Sequence, residues 1–317
     1  MTMGVSKENV YIISTVVMAV VTAVGFVIAQ LSATGAGVNL GLFKNLTGDI
    51  SDYFPIEATP ADWTFSIWAF IFFFEIVWVA YALSTFCRSN EEGRLYTVIP
   101  VFPPEFTLVY SLNQVLLVVW LFLFDRKLIG YSSLVLLFIV VSCAICLWVN
   151  YRRVEKYKSY MEKNLRFDLV ANRLLVQNGL SMYTTWAFVA SFLNGAIALT
   201  YGESTQVDGM LASTILYVVI IIATTIYFGL DVTFWEKYTR YTFTPYIVVI
   251  IASLGSLNFE FDSNAADICE LIALILGCVF LIGKIFRTII RARYSSIELN
   301  SQQPTESEFY LVDKVDK

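Results

Sequence analysis

Histidine is absent from the 317-residue sequence, and charged residues are scarce at 15%. Without histidine the chain cannot form imidazole metal sites, Ser-His-Asp triads or histidine proton relays. The charged fraction is well below the roughly 25% that is usual in soluble proteins. Hydrophobic residues make up 57% of the chain, and the mean hydropathy is +0.67. The 21 Lys and Arg against 26 Asp and Glu leave a net charge of −5, which argues against a nucleic-acid partner. The composition therefore predicts a polytopic membrane protein.

Cysteines are few, and they indicate neither a metal site nor a disulfide. Cys143 and Cys146 form a CxxC pattern inside an unbroken apolar stretch, and no second cysteine pair accompanies them. Small packing residues in a helix interface are therefore the favoured interpretation. The sequence also shows no nucleophile–base pair. We expect no enzyme activity, no metal and no cofactor.

Eight apolar stretches are long enough to cross a membrane as helices, which takes about 20 residues each. The third and fourth are separated only by Asp125-Arg126-Lys127 and should form a helical hairpin. The sequence thus predicts an all-α fold, a polytopic membrane bundle of about eight transmembrane helices. The predicted spans are 10–31, 63–86, 105–124, 128–150, 177–200, 210–230, 241–258 and 268–289.

Positive charges are divided unequally between the two sides of this bundle. If the N-terminus is cytoplasmic, the outer segments hold only Lys44, Arg126 and Lys127, and all other Lys and Arg fall on the inner side. Because cytoplasmic loops carry an excess of Lys and Arg, both termini are predicted to be cytoplasmic.

Four polar side chains lie deep within the predicted spans. Glu75 is halfway along the second span, where an ionised carboxylate costs about 3 kcal/mol on insertion scales. It is either a proton-sensitive or ligand-contacting acid that faces a cavity, or a protonated side chain that hydrogen-bonds a neighbouring helix. Asn113, Gln114 and Asn194 favour hydrogen bonds between helices, with ligand contact as the alternative.

The fifth span has one ordered face, because Tyr183, Trp186, Ala190, Asn194 and Ile197 follow spacings of three and four residues. A face with two aromatic rings, a small residue and an amide suits packing around a flat apolar ligand. It equally suits a helix–helix interface.

The segment Tyr183–Ile197, YTTWAFVASFLNGAI, resembles the last helix of the translocator protein family, whose members are also called tryptophan-rich sensory proteins. PADWTFSIW at Pro60–Trp68 resembles the entry to that family's second helix, and Leu112-Asn113 resembles a pair in its third helix. The resemblance implies a five-helix fold with a pocket for flat hydrophobic ligands such as porphyrins. Some members also bind sterols, but the sterol pattern needs Lys or Arg after the fifth helix, and Thr200–Glu203 has none.

The polar composition of residues 294–317 indicates a disordered cytoplasmic tail. The resemblance divides the rest of the chain into a five-helix core at 1–205 and three additional transmembrane helices at 206–293. It also implies the leading function, a multi-pass membrane protein that binds, senses or carries a small hydrophobic, porphyrin-like molecule. The predicted ligand-binding residues are Trp63, Phe65, Trp68, Glu75, Asn113, Tyr183, Trp186 and Asn194.

Two other functions stay open. The first is a proton-coupled secondary transporter or channel that uses Glu75, although a single acid without a basic partner or a sequence repeat gives it little support. The second is a membrane scaffold that binds no ligand. The expected partners are membrane lipids and the small hydrophobic molecule, and a homo-oligomer is left open.

The residues before the first span, MTMGVSKENV, contain no Arg-rich amphipathic presequence, although the family includes proteins of the mitochondrial outer membrane. The acidic outer segment 32–62 carries the N-glycosylation sequon Asn45-Leu46-Thr47. We therefore predict the plasma membrane or another membrane of the secretory pathway.

In such a membrane Asn45 should carry a glycan. Glycosidase treatment of the protein expressed in eukaryotic cells should increase its electrophoretic mobility, and Asn45→Gln should abolish that shift. Asn39→Gln, in the same segment but outside any sequon, is the matched control. An unglycosylated protein that co-fractionates with mitochondria would overturn the predicted location.

Overall fold

The computed structural model describes residues 5–203, 205–257 and 263–301, with side chains described between 7 and 293. Helices form almost all of this part of the chain, so the prediction of an all-α bundle is confirmed. Within the same ranges, β structure is limited to a hairpin of two short strands, β1 (Ser89–Asn90) and β2 (Gly93–Arg94), which pair antiparallel.

Thirteen α-helices follow one another along the described chain, and seven of them are apolar and long enough to cross a membrane: α1, α4, α6, α7, α9, α10 and α13. A 3-10 turn at Asp62–Ser66 leads into α4, and a π-helical turn at Asn172–Gln177 joins α8 to α9. The predicted tail 294–317 overlaps α13 as far as Ser301, and 302–317 lie outside the described residues. The helices are α1 (Val5–Ala33), α2 (Gly35–Asn39), α3 (Thr47–Tyr53), α4 (Ile67–Cys87), α5 (Leu95–Val98), α6 (Pro104–Asp125), α7 (Ile129–Asn164), α8 (Arg166–Ala171), α9 (Asn178–Tyr201), α10 (Gly209–Val232), α11 (Glu236–Thr239), α12 (Thr244–Ser256) and α13 (Ala265–Ser301).

The connection between α6 and α7 is the tight helical hairpin that the sequence predicts. The helix α6 ends at Asp125 and α7 begins at Ile129. Lys127 takes a φ of 59°, in the left-handed region, and this reverses the chain within three residues.

The seventh predicted span, 241–258, is shorter than predicted, because only the 13 residues Thr244–Ser256 are helical. The preceding residues form the short helix α11 and a turn, and Pro245 occupies the first turn of α12, where a missing N–H costs no hydrogen bond. A helix of this length rises only about 20 Å. The bundle therefore has seven full-length apolar helices and one short one among the described residues.

The short helix α12 nevertheless connects the two ends of the bundle. At its start, the Thr244 hydroxyl donates to the carbonyl of Asn178, the first residue of α9, at 2.7 Å. At its end, the Ser256 hydroxyl donates at 3.2 Å to the carbonyl of Ala58, in the segment that leads into α4 at the opposite end. Because Ala58 is itself buried, that segment reaches inward to meet the short helix.

A buried ion pair holds α10, α12 and α13 together. The Lys284 Nζ on α13 donates to Asp231 Oδ1 on α10 at 2.6 Å, and neither side chain is more than 2% exposed. The Tyr246 hydroxyl on α12 donates to the second carboxylate oxygen at 2.5 Å. Since removal of one partner from a buried pair typically costs about 3–5 kcal/mol, these three helices pack as one unit.

The side chain of Asn178 connects this unit to α9. Its Nδ2 donates to the carbonyls of Arg173 and Tyr241 at 2.7 and 2.8 Å, and its Oδ1 accepts from the Phe243 N–H at 3.0 Å. Asn178 is buried, so water does not compete for these groups. The amide therefore determines where α12 begins beside α9.

Replacement of Asn178 by Ala should lower the free energy of unfolding by about 2–4 kcal/mol, because buried backbone donors and acceptors lose their partner. Thermal unfolding in detergent micelles measures this loss. Asn39→Ala, at an exposed position of α2, is the matched control and should change stability by less than about 0.5 kcal/mol. Equal stability of the two variants would contradict the assigned role of the Asn178 amide.

Candidate ligand-binding site

Four of the predicted ligand-binding residues line one cavity of about 50 Å³, which we name the indole cavity: Phe65, Trp68, Trp186 and Asn194. Phe65 lies in the 3-10 turn and Trp68 in the first turn of α4. Trp186 and Asn194 are eight residues apart on α9, about two helical turns, and therefore lie on the same face.

The Trp68 ring is the centre of the aromatic cluster around the indole cavity. It stacks on Trp120 of α6 with ring centroids 5.5 Å apart and on Phe72 with centroids 5.6 Å apart. Trp186 and Tyr183 of α9 meet it edge-on, at 6.5 and 6.1 Å. Offset stacks and edge-to-face contacts are the preferred geometries of aromatic pairs, so the cluster holds Trp68 between α6 and α9.

Three polar atoms of residues that line the indole cavity are buried and have no hydrogen-bond partner among the described residues. They are the indole nitrogens of Trp120 and Trp186 and the Oδ1 of Asn194. The Nδ2 of Asn194 donates to the carbonyl of Ala190 one turn earlier, at 2.9 Å. A buried polar atom left unpaired costs about 1–3 kcal/mol, so two donors and one acceptor among the lining residues have hydrogen-bonding capacity that the described protein does not use.

The remaining predicted residues do not line this cavity. Tyr183 touches Trp68 only through the edge contact, and Trp63, in the 3-10 turn, is 52% exposed. Asn113 of α6 donates to the Ile139 carbonyl and the Ser142 hydroxyl of α7, at 3.1 and 2.8 Å. Asn113 therefore makes the interhelical hydrogen bonds that the sequence favours.

Glu75 is buried in α4, and two side chains of α6 donate to its carboxylate: the Tyr110 hydroxyl and the Gln114 amide. It lines neither the indole cavity nor the larger cavity described below. The side chain of Glu75 thus links α4 to α6 through hydrogen bonds.

Sequence reasoning did not assign Trp120 and Phe124 of α6 to the site, although both line the indole cavity. Trp120 follows Asn113 by seven residues, close to two helical turns, and this spacing could have placed it on the inward face. Ser256 of α12 also lines the cavity. Ser256 reaches the cavity only because α12, which is distant in sequence, packs there. No pattern in the neighbouring sequence indicates this packing.

A second cavity of about 340 Å³ lies between α7 and α9 on one side and α10, α11 and α12 on the other. We name it the seam cavity. It shares Val189 with the indole cavity, so the two are neighbours along α9. Residues that line it include Leu147, Tyr151, Thr184, Phe188, Tyr227 and Tyr246.

The sequon residue Asn45 is half-buried in the outer segment. Its Nδ2 donates to the carbonyl of Asp125 at 3.0 Å, and its backbone N–H donates to the carboxylate of the same residue at 2.9 Å. The amide that would carry a glycan thus contacts the turn between α6 and α7.

Substitution of Glu75 tests whether it links α4 to α6. Glu75→Leu should lower stability by about 2–5 kcal/mol, because the Tyr110 hydroxyl and the Gln114 amide lose their acceptor in a buried place. Glu75→Gln keeps an acceptor oxygen and should cost less than about 1.5 kcal/mol. Thermal unfolding measures both, with Ile76→Leu on the exposed side of α4 as the control. A Gln variant as unstable as the Leu variant would contradict the linking role.

Residues 10–286 match the model of a family described as TSPO-like protein. The match extends past the first five transmembrane helices and includes α10 and α12 and most of α13. No curated protein and no solved structure matches the chain.

Proposed function

Because the chain belongs to the TSPO-like protein family, we propose that it is a multi-pass membrane protein that binds a small hydrophobic, aromatic molecule in the indole cavity. The observation that carries the proposal is that three residues of one aromatic cavity lining each carry an unpaired buried polar atom. Small-molecule sites are mostly apolar and carry a few polar groups that fix the orientation of the ligand.

Each lining residue then has a distinct role. Trp68 stacks on the ligand, and the indole N–H groups of Trp120 and Trp186 donate to an acceptor on its edge. The Oδ1 of Asn194 accepts from a donor on the ligand. The roles follow from which atoms are unpaired and from the preference of aromatic rings for one another.

The volume of the indole cavity sets a condition on binding. An engineered cavity of about 150 Å³ holds benzene, whereas the indole cavity measures about 50 Å³. A porphyrin-like molecule therefore enters only when side chains such as Trp68 move aside. In this proposal the stacked cluster is the closed form of the site.

A transporter coupled through Glu75 has less support, because the carboxylate already accepts two hydrogen bonds and lines neither cavity. A scaffold without a ligand would leave the three unpaired atoms without a role. The five-helix core at 1–205, the three helices at 206–293 and the tail at 294–317 remain our proposed division of the chain.

We also propose that the end of the bundle that holds Arg88 faces the cytoplasm in a secretory-pathway membrane. Arg88 makes two hydrogen bonds to the Asp168 carboxylate, at 2.7 and 2.8 Å, and these raise its pKa above the ordinary value. Arg88 lies at the end where the sequence concentrates Lys and Arg, and the excess of these residues marks cytoplasmic loops.

Protoporphyrin IX titrated into the protein in lipid nanodiscs tests the proposed site. Its Soret band should shift saturably. Trp68→Ala should weaken binding about tenfold through the lost stacking area. Trp186→Phe keeps a ring but removes the N–H, and should weaken binding about fivefold.

Trp63→Phe is the matched control, because Trp63 is exposed and does not line the cavity; its affinity should equal that of the unaltered protein. A Soret shift that grows linearly and is the same in all three variants would reduce the effect to partition into lipid, and would overturn the proposal.

A further inference from the structure

We propose that the seam cavity is a second ligand site, for an uncharged hydrophobic molecule with an aromatic ring. This inference does not depend on the indole cavity. It concerns the interface between α7 and α9 and the unit formed by α10, α12 and α13, which lies outside the residues that the sequence singled out.

The size of the seam cavity supports a ligand site. At about 340 Å³ it falls within the range of about 300–1,000 Å³ that small-molecule pockets occupy. Protein interiors are close-packed and contain few voids larger than a water molecule. A preformed space of this size between well-packed helices is therefore a specific feature of this interface.

The chemistry of the walls selects an uncharged ligand. None of the described residues that line the cavity is charged. Pairs of aromatic rings lie on two sides of the cavity. The ring centroids of Trp148 (α7) and Tyr238 (α11) are 5.7 Å apart. Those of Tyr227 (α10) and Tyr246 (α12) are 5.8 Å apart. Rings at these separations favour a further ring packed against them.

Most hydroxyl groups in the walls are already hydrogen-bonded. Thr184, Thr185 and Thr239 each donate to the backbone carbonyl one turn earlier, at 2.6 to 2.9 Å. The Tyr151 hydroxyl pairs with Thr242 at 2.8 Å, and that of Tyr246 donates to Asp231. The walls therefore leave few hydrogen-bonding groups free to pair with polar atoms of a ligand, which agrees with a mainly hydrophobic molecule.

The cavity reaches the outer surface of the bundle. Trp148 lines it and is also 46% exposed, and Ala144, one turn earlier on α7, lines it at an exposed position. Because this surface belongs to an apolar, membrane-length helix, a hydrophobic molecule dissolved in the bilayer has a direct way in. A charged molecule has none along this route.

Benzophenone is a suitable probe, because it is uncharged and aromatic and forms covalent adducts with nearby C–H bonds on irradiation. The full-length protein in lipid nanodiscs is irradiated with increasing benzophenone, and adducts are located by peptide mass spectrometry. Labelling should saturate and should concentrate on residues that line the seam cavity alone: Ser181, Thr184, Thr185 and Phe188 of α9 and Ile220, Ala223, Thr224 and Tyr227 of α10.

Two variants narrow the cavity. Ala144→Trp adds bulk at its exposed rim, and Ala223→Trp adds bulk on α10. Each should raise the concentration for half-maximal labelling at least about tenfold. The matched controls are Ile145→Trp and Ile222→Trp, which place the same ring at exposed neighbouring positions outside the cavity and should leave labelling unchanged. Gel filtration and thermal unfolding identify any variant that fails to fold. If Ala223→Trp fails to fold, the comparison of Ala144→Trp with Ile145→Trp tests the proposal.

Trp68→Ala separates this site from the indole cavity, since it should not alter labelling of the seam residues. Labelling that moves to the indole cavity, or that is lost in Trp68→Ala, would overturn the proposal. So would adducts spread evenly over exposed apolar residues with no effect of Ala144→Trp, because the probe would then report lipid alone. A resident acyl chain that excludes benzophenone at every concentration would overturn it as well.

Discussion

The side-chain amide of Asn178 makes the contacts on which the position of α10, α12 and α13 beside α9 depends. Through it, α9 holds the backbone at Tyr241 and Phe243, just before α12 begins. A low-dielectric interior offers no water to replace such bonds, so an amide that satisfies several backbone groups at once fixes position strongly. Both cavities lie along the interface that this contact aligns, and their shapes therefore depend on it.

The sequence predicted those parts of the site that depend on local helical geometry. Trp186 and Asn194 lie on one face because helical period alone puts them there. The resemblance of Pro60–Trp68 to the family's second-helix entry groups Trp63 with Trp68, yet Trp63 lies in the 3-10 turn at an exposed position. A change of helix type just before α4 alters side-chain direction, and spacing rules that assume one period do not register it.

Other features could not be read from the sequence because they arise from the packing of distant segments. The apolar length of span 241–258 did not reveal that its first three residues, 241–243, belong to a turn and not to α12. The depth of Glu75 predicted that it needs a partner, but not that Tyr110 and Gln114 supply one. The seam cavity has no local pattern, since threonines and tyrosines from five helices form its walls.

The shortness of α12 also bears on how the protein is made. A span of 13 residues is below the length of about 17–25 residues that a membrane-crossing helix needs. The Gly255 carbonyl near its end accepts a hydrogen bond from the Ala61 N–H at 2.7 Å. Ala61 is synthesised well before α12, so the chain already contains the partner for this end when the short helix is made. The end of α12 thus packs on a segment that the earlier part of the chain provides.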